Sequence, residues 1–145
     1  MAQGTLTVFN EAKQNLSGLL DLSSATDFSC MLITTLPTAE DLTPDSADYT
    51  EVTGTGYTAG GIALATTWDE SAGTVTFDSS VNPSWAQNGA GPTNVVAALI
   101  YSETAVGEDA LAFVDLTVDG GTTALSMQSG SITVNFNAAG LFDLA

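Results

Sequence analysis

The sequence predicts a mainly β protein: an antiparallel β-sandwich or jelly-roll-like barrel with one short N-terminal helix. Short runs rich in Thr, Val, Ile and aromatic residues recur along the chain, broken by Gly, Asp, Asn, Ser and Pro. Only one segment has helical spacing, so the βαβ rhythm of a parallel sheet is missing. The chain has 145 residues, 44% of them hydrophobic, and no linker or change of composition divides it. We therefore expect a single domain, residues 1–145.

The predicted helix lies in FNEAKQNLSGLL, near the start of the sequence. Its apolar residues fall three and four positions apart, a spacing that places them on one helix face: Phe9, Ala12, Leu16 and Leu19 or Leu20. Asn10 is the expected N-cap residue, and Gly18 suits the C-terminal end of the helix.

The remaining elements are predicted as strands because β-branched and aromatic residues dominate them. In chain order they are Thr5–Phe9, Asp27–Thr35, Tyr49–Thr53, Tyr57–Trp68, Thr74–Ser79, Thr93–Ser102, Leu111–Val118, Ser131–Asn137 and Leu141–Leu144. The longest predicted loop is LPTAEDLTPDSAD, residues 36–48. Between Trp68 and Thr74, the sequence DESAG predicts a hairpin turn in which Gly73 takes a positive φ.

The hydrophobic pattern also predicts how strands are buried. VVAALIY, residues 95–101, is apolar throughout, which is typical of a strand buried on both faces. SITVNFN alternates instead, so Ile132, Val134 and Phe136 are expected on one face and the polar residues between them on the other.

Charge is the extreme feature of the composition. The chain carries 17 Asp and Glu residues against one basic residue, Lys13, and its formal net charge is −16. Binding to nucleic-acid backbone or anionic lipid depends on Lys and Arg that neutralise phosphates, so neither nucleic acid nor membrane is expected as a partner. No apolar run approaches the roughly 20 residues that span a bilayer. Such acidity suits a basic partner surface or a saline setting.

The single cysteine, Cys30, lies in the apolar stretch FSCMLITTL. We expect it to be a buried small hydrophobic residue rather than a reactive thiol. With one Cys and no His, the sequence offers no zinc ligand set. The N-terminal MAQGTLTVFNEAK has neither a charged leader nor an apolar h-region, so no secretory signal is expected.

The glycine-rich stretch VTGTGYTAGG, residues 52–61, raises the question of a phosphate-binding loop. It lacks the Gly–Lys–Ser/Thr ending of a P-loop, and the β-type residues IALATTW follow it where a dinucleotide fingerprint requires a helix. We interpret its glycines as structural, with one bend at 54–56 and a second at 60–61. Tyr57 is expected to lie across a neighbouring glycine backbone.

No catalytic residue, cofactor site or metal site is predicted. Without histidine the sequence has no Ser–His or Cys–His pair, and Lys13 alone is a poor base for a Ser–Lys dyad. Adjacent carboxylates, which glycoside hydrolysis uses in pairs, occur at Glu40 and Asp41, Asp69 and Glu70, and Glu108 and Asp109. Each pair lies in a turn-like, solvated segment, whereas a catalytic acid needs burial to raise its pKa. We therefore expect a non-enzymatic protein.

Two binding alternatives stay open. Calcium takes oxygen ligands, and one short segment is rich in carboxylates: Glu40, Asp41, Asp45, Asp48 and Glu51. Their spacing does not follow the EF-hand loop, so weak counter-ion condensation is the favoured interpretation. Trp68, Trp85 and Tyr101 are candidates for a carbohydrate platform, although core packing is the commoner role of aromatic residues in a small β domain.

Several segments, in order along the chain, carry a resemblance to a known group of proteins. They are NEAKQNLSGLLDLSS, FSCMLITTL, VTGTGYTAGG followed by IAL, FDSS before PSW, ALIYSET, LAFVDL and ITVNFNAAGLFDL. Together they resemble small virion proteins encoded by tailed bacteriophages, and VTGTGYTAGG is the most distinctive segment. The chain departs from this group in its basic residues, because relatives often carry Lys or Arg in the first long strand and elsewhere.

The resemblance implies a β-rich, non-enzymatic component of the capsid exterior, made in the host bacterial cytoplasm. Its implied role is that of a decoration or cement protein that binds the major capsid protein and stabilises the shell by non-covalent contacts. Analogy with other decoration proteins implies a homo-oligomer, for example a trimer. The loop 36–48 and the two termini are the first choice for contact, since loops carry recognition on a rigid sandwich. The alternative is a tail- or neck-associated protein, or a glycan-binding appendage that contacts the host.

Overall fold

The structure, a computed structural model, describes residues 6–15, 21–24, 26–41, 44–104, 109–136 and 140–144. One α-helix, α1, spans Asn10–Asn15. The strands are β1 (Leu6–Val8), β2 (Phe28–Ile33), β3 (Ile62–Ala63), β4 (Thr66–Ser71), β5 (Thr74–Ser79), β6 (Ser84–Trp85), β7 (Ala97–Ser102), β8 (Ala110–Asp115), β9 (Ile132–Thr133) and β10 (Phe142–Leu144).

These strands form three antiparallel sheets, which confirms the predicted mainly β sandwich with one short helix. The largest sheet has five strands in the order β1-β8-β7-β2-β3. A three-stranded sheet has the order β10-β5-β4, and β6 and β9 form a third sheet. All the strand pairs are antiparallel.

The centre of the five-stranded sheet is buried on both faces. β7 pairs with β2 on one side and with β8 on the other. Every residue of β2 and β7 is buried, as are Val95 and Val96 before β7. The predicted burial of VVAALIY is therefore confirmed, although the strand begins at Ala97 and not at Thr93 as predicted. A sheet covered on both sides is a rigid support for the loops at its ends.

Different elements cover the two faces. The ring of Phe28 on β2 makes an edge-on contact with Phe77 on β5, with ring centroids 5.3 Å apart. On the other face, Phe113 of β8 packs against Phe9 at 5.1 Å, just before α1. The three-stranded sheet and the helical segment thus lie on opposite sides of the five-stranded sheet.

The hairpin β4–β5 confirms one predicted turn and tightens it. Ser71 pairs with Thr74, so the turn consists of Ala72 and Gly73 alone. Both turn residues have positive φ, 52° and 87°, as a two-residue type I′ turn requires. The first three residues of the predicted turn DESAG belong to β4 instead.

The edge beside β2 differs from the prediction of two long strands, Tyr49–Thr53 and Tyr57–Trp68. The first is wrong as a strand, because only an isolated bridge between Glu51 and Ile33 forms there. The second is divided: β3 begins at Ile62, and β4, in another sheet, begins at Thr66. Local β propensity does not reveal which sheet a residue joins.

The helix begins one residue earlier than predicted. The Lys13 N–H donates to the Phe9 carbonyl at 3.3 Å, so Phe9 is the N-cap residue and Asn10 is already helical. The Asn10 side chain instead donates to Glu40 Oε1 at 2.9 Å. Burial of Phe9 and Ala12 confirms the start of the apolar face, while the predicted residues 16–20 lie outside the described residues.

The extents of two later strands also change, and one strand was not predicted. β8 ends at Asp115 rather than at Val118, and β9 is shorter than the predicted Ser131–Asn137. The alternation in that segment is nevertheless present, since Ile132 and Val134 are buried. The short strand β6, Ser84–Trp85, was not among the predicted strands.

Candidate contact surface

The glycine-rich stretch 52–61 is an excursion from the edge of the five-stranded sheet. Before it, the Val52 N–H donates to the Leu32 carbonyl at 3.0 Å. After it, Ile62 of β3 pairs with Cys30. Cys30 and Leu32 are two positions apart on β2, so the chain leaves the edge and returns to it at the next pairing position. A strand follows the stretch, and the helix that a dinucleotide-binding turn needs is not there.

Tyr57 fills the gap that this excursion leaves in the hydrogen-bond ladder. Its hydroxyl accepts the Leu32 backbone N–H at 3.0 Å and donates to Glu51 Oε1 at 2.7 Å. The same Glu51 oxygen accepts the Gly60 N–H at 2.7 Å. Burial and the hydrogen bond to Glu51 raise the pKa of Tyr57, so its hydroxyl keeps the proton that it donates. The Tyr57 ring stacks on Trp85 at 6.2 Å.

Glycine is required where the stretch meets the sheet. A Cβ on Gly61 would overlap the carbonyl group of Cys30, and its φ of +77° is one that side chains rarely adopt. A Cβ on Gly54 would lie 2.8 Å from the Pro92 backbone nitrogen. The glycines therefore let the backbone approach β2 and the segment before β7, as a structural role predicts.

The loop 36–48 lies against the starts of α1 and β8. The Asn10 N–H donates to the Ala39 carbonyl at 3.0 Å, and the Ala110 N–H donates to the Pro44 carbonyl at 2.7 Å. These bonds tie the loop to elements whose own residues belong to the core. Two hydrogen bonds thus join the described parts of the loop to α1 and β8.

Asp41 organises the first half of this loop. Its carboxylate accepts the Thr38 N–H at 3.2 Å and the Thr38 hydroxyl at 2.5 Å. It also accepts the Tyr49 hydroxyl at 2.8 Å. Although burial opposes the shift, these hydrogen bonds lower the pKa of Asp41, so the carboxylate stays ionised in the folded loop.

The other candidate calcium ligands are engaged separately. Glu40 accepts a side-chain amide of α1, Asp48 accepts the Asp45 N–H at 3.1 Å at the start of a short 3₁₀ helix, and Glu51 holds Tyr57. Among the residues that the structure describes, no three or more His, Cys, Asp or Glu side chains are grouped to hold a metal ion. These carboxylates act as local hydrogen-bond acceptors.

The candidate catalytic pairs lie at the surface. Asp69 and Glu70 are both exposed, on β4 rather than in a turn. Glu40 is exposed beside the half-buried Asp41. Asp109 is half-buried, and Glu108 lies outside the described residues. None of these described carboxylates is buried.

The aromatic residues do not assemble into one platform. Trp85 and Tyr101 are only 4% and 5% exposed, so neither ring face is available to a sugar. The Tyr101 hydroxyl donates to the Gly60 carbonyl at 3.0 Å. Trp68 is partly exposed but lies in the other sheet, packed on Phe77.

The last three residues of the predicted strand Leu111–Val118 lie instead in a loop that carries an exposed apolar side chain. Val118 lies beyond the end of β8 and is 82% exposed. Every other large hydrophobic residue in the described ranges is buried or partly buried. We call residues 115–123, which begin with the last residue of β8, the Val118 loop. The Asp-Gly-Gly that follows Val118 was the available signal for a turn.

Side chains of the Val118 loop accept hydrogen bonds from its own backbone. Asp115 Oδ1 accepts the Thr117 N–H at 2.8 Å, and Thr117 Oγ1 accepts the Gly121 N–H at 2.7 Å. Asp119 Oδ1 accepts the Thr123 N–H at 2.9 Å. Hydrogen bonds from Thr123 lower the pKa of Asp119, so this carboxylate is ionised next to the exposed Val118.

The two loops adjoin. Gly121 of the Val118 loop lies beside Leu36, the first residue of the loop 36–48; a Cβ on Gly121 would be 3.0 Å from the Leu36 Cβ. Together the loop 36–48 and the Val118 loop form one surface, which we call the contact surface. Of these two loops, sequence analysis predicted only the loop 36–48 as a site of contact.

Asp27 is a further polar residue that sequence analysis missed. It is 2% exposed, at the start of β2, and its Oδ2 accepts the Ser102 hydroxyl at 2.8 Å. Its Oδ1 accepts the Thr104 N–H at 3.0 Å. Asp27 thereby joins the start of β2 to the end of β7, which is a structural role.

Comparison with models of protein families, with curated proteins and with solved structures finds no match. The resemblance to virion proteins therefore stays a prediction that depends on the segments quoted above. Within the described ranges, no helix has both the length and the apolar character needed to cross a membrane.

Proposed function

We propose that this chain is a non-enzymatic structural protein of a bacteriophage virion, a decoration protein that binds the outer surface of the major capsid shell. One observation carries the proposal furthest: two adjoining loops lie at the end of a sheet that is buried on both faces, and hydrogen bonds hold their described residues. Attachment without chemistry needs such a surface, because ordering loops on binding costs free energy that rigid loops do not lose.

The Val118 loop gives the contact surface an exposed apolar side chain next to a charged one. Val118 offers a stiff apolar side chain at its tip, and the ionised Asp119 lies beside it. An apolar anchor with polar groups around it is the usual arrangement at the centre of an interface. A partner that complements it offers an apolar pocket with basic or amide groups at its rim.

The net charge of −16 also favours a basic partner surface over a second acidic one. A specific interface typically buries about 1,600 Å² in total. Identical copies arranged around a symmetry axis would add avidity, because contacts between neighbours raise the effective concentration of each copy. A homo-oligomer on the shell is therefore part of the proposal.

The experiment that tests this function is protein stoichiometry in purified virions, measured against the major capsid protein. A ratio near one copy per capsid subunit, or a simple fraction such as one third, is the expected result. A few dozen copies or fewer would instead place the protein on the tail, the neck or a vertex. Absence from the particle would overturn the virion proposal.

A further inference from the structure

The strand β4 is the longest one that lies at the edge of a sheet. It has six residues, whereas β1 and β10 have three and β3 has two. On one side all six residues of β4 pair with β5. On the other side β4 is the last strand of its sheet. An edge of this length can accept a further strand.

The hairpin register shows which backbone groups of β4 point outward. The two-residue turn makes Ser71 and Thr74 the first hydrogen-bonded pair, so Asp69 and Thr67 also bond to β5. The backbone N–H and C=O groups of Trp68 and Glu70 then face away from β5. No hydrogen bond to them from another described element is present.

The side chains along this edge are acidic and aromatic. Asp69 and Glu70 are exposed and point to opposite faces of the sheet, and Trp68 is partly exposed. Antiparallel pairing of two copies along β4 would bring these carboxylates together across the new ladder, which disfavours a second copy. A cationic strand would meet a carboxylate on each face and could lay an aliphatic stem over the Trp68 ring.

We propose that the edge of β4 binds an extended, Lys- or Arg-rich segment of the partner protein as a fourth strand. Main-chain hydrogen bonds to Trp68 and Glu70 would hold the segment, and Asp69 and Glu70 would select its charge. The inference deepens the proposed function and rests on it, since it names the chemistry of a shell segment that the protein grips. It also assigns a binding role to two of the many acidic residues, Asp69 and Glu70 on β4.

The test uses the whole chain in solution and needs no virion, so it can fail independently of the stoichiometry experiment. The probe is a capped peptide of alternating Lys and Thr residues, and amide hydrogen exchange is followed residue by residue. On binding, exchange at Trp68 and Glu70 should slow by about tenfold or more, while Asp69, already bonded to β5, changes little. A matched peptide with Glu in place of Lys should have no effect.

Matched variants separate the edge from overall charge. The double variant D69N/E70Q should weaken peptide binding by about fivefold, the effect of losing two exposed charge contacts. The control E11Q/E103Q, which removes the same charge away from β4 and from the contact surface, should bind as the parent does. Unchanged exchange at Trp68 and Glu70 would overturn the proposal, as would equal binding of the Glu peptide. Concentration-dependent protection without peptide would overturn it in favour of a second copy.

Discussion

The Tyr57 hydroxyl accepts the Leu32 backbone N–H at 3.0 Å, and a side chain thus replaces a missing strand residue in the ladder beside β2. The edge of the buried sheet is closed although its strand is interrupted for the length of the glycine-rich stretch. Unpaired backbone groups at such an edge cost free energy and invite pairing with other chains. The hydrogen bond from Leu32 to Tyr57 therefore contributes to the stability of the fold and leaves one backbone group fewer for pairing with another chain.

We expect Tyr57→Phe to lower the free energy of unfolding by about 1–3 kcal/mol, because it leaves the Leu32 N–H without a partner and removes one of the two hydrogen bonds to Glu51 Oε1. Urea unfolding followed by fluorescence measures this. Tyr49→Phe is the control. It also removes a hydroxyl that donates to a carboxylate, that of Asp41, but the Tyr49 hydroxyl is not shown accepting a backbone N–H. Equal losses in the two variants would contradict the role of Tyr57 in the ladder.

Gly61→Ala should destabilise the protein far more than Gly73→Ala. Both positions have positive φ, which costs a side chain about 1–2 kcal/mol. At Gly61 the added Cβ also overlaps the Cys30 backbone. At Gly73 no atom lies within 4 Å of the added Cβ. The difference in unfolding free energy between the variants isolates the close approach. Similar values would mean that the stretch can move away from β2.

Stability should fall as the pH rises above 9.0, the ordinary pKa of a thiol. Burial raises the pKa of Cys30 to about 12, so the folded chain keeps a proton that the unfolded chain releases. The thiol's contribution is complete below pH 9.0 and is lost as the pH approaches about 12. One such group contributes a slope of at most about 1.4 kcal/mol per pH unit.

Urea unfolding at a series of alkaline pH values measures this slope. Burial also raises the pKa of Tyr49 and Tyr57, which adds to the slope at the upper end. Cys30→Ala provides the comparison. The variant should be less stable at every pH, but its free energy of unfolding should fall less steeply from pH 9.0 upward. An identical slope in parent and variant would show that the thiol ionises freely in the folded protein.

Added salt should stabilise the protein, because repulsion within a chain of net charge −16 weakens as charges are screened. The gain should level off by roughly 0.3 M NaCl, where the Debye length is already shorter than most distances between surface charges. Urea midpoints across NaCl concentrations measure it. A gain that instead continues linearly to molar salt would point to general salt effects on apolar burial.

Val118→Ser should separate stability from attachment. Because Val118 is 82% exposed, the variant should unfold within about 0.5 kcal/mol of the parent. If Val118 is buried in a shell pocket, the same change should weaken binding to undecorated particles about tenfold or more. Ala86→Ser, at another exposed position, is the control. Unchanged attachment of the Val118 variant would remove the Val118 loop from the contact surface.

Local sequence was sufficient for several features of this protein. The unbroken apolar run VVAALIY predicted a strand buried on both faces, and Gly73 predicted the hairpin turn, because hydrophobic periodicity and positive φ are properties of a few neighbouring residues. Burial of Cys30 followed in the same way from its apolar surroundings. The charge balance likewise needed no structure.

Only the tertiary structure decided how the edge beside β2 is built and what the surface presents. Glu51 and Ile62 flank one excursion because both sides pair with the same strand, and that pairing depends on residues far away in sequence. Val118 has the pattern of a strand residue, yet β8 ends before it and leaves it in solvent. Propensity reports which conformation a residue favours, whereas its partners and its exposure are set by the chain packed around it.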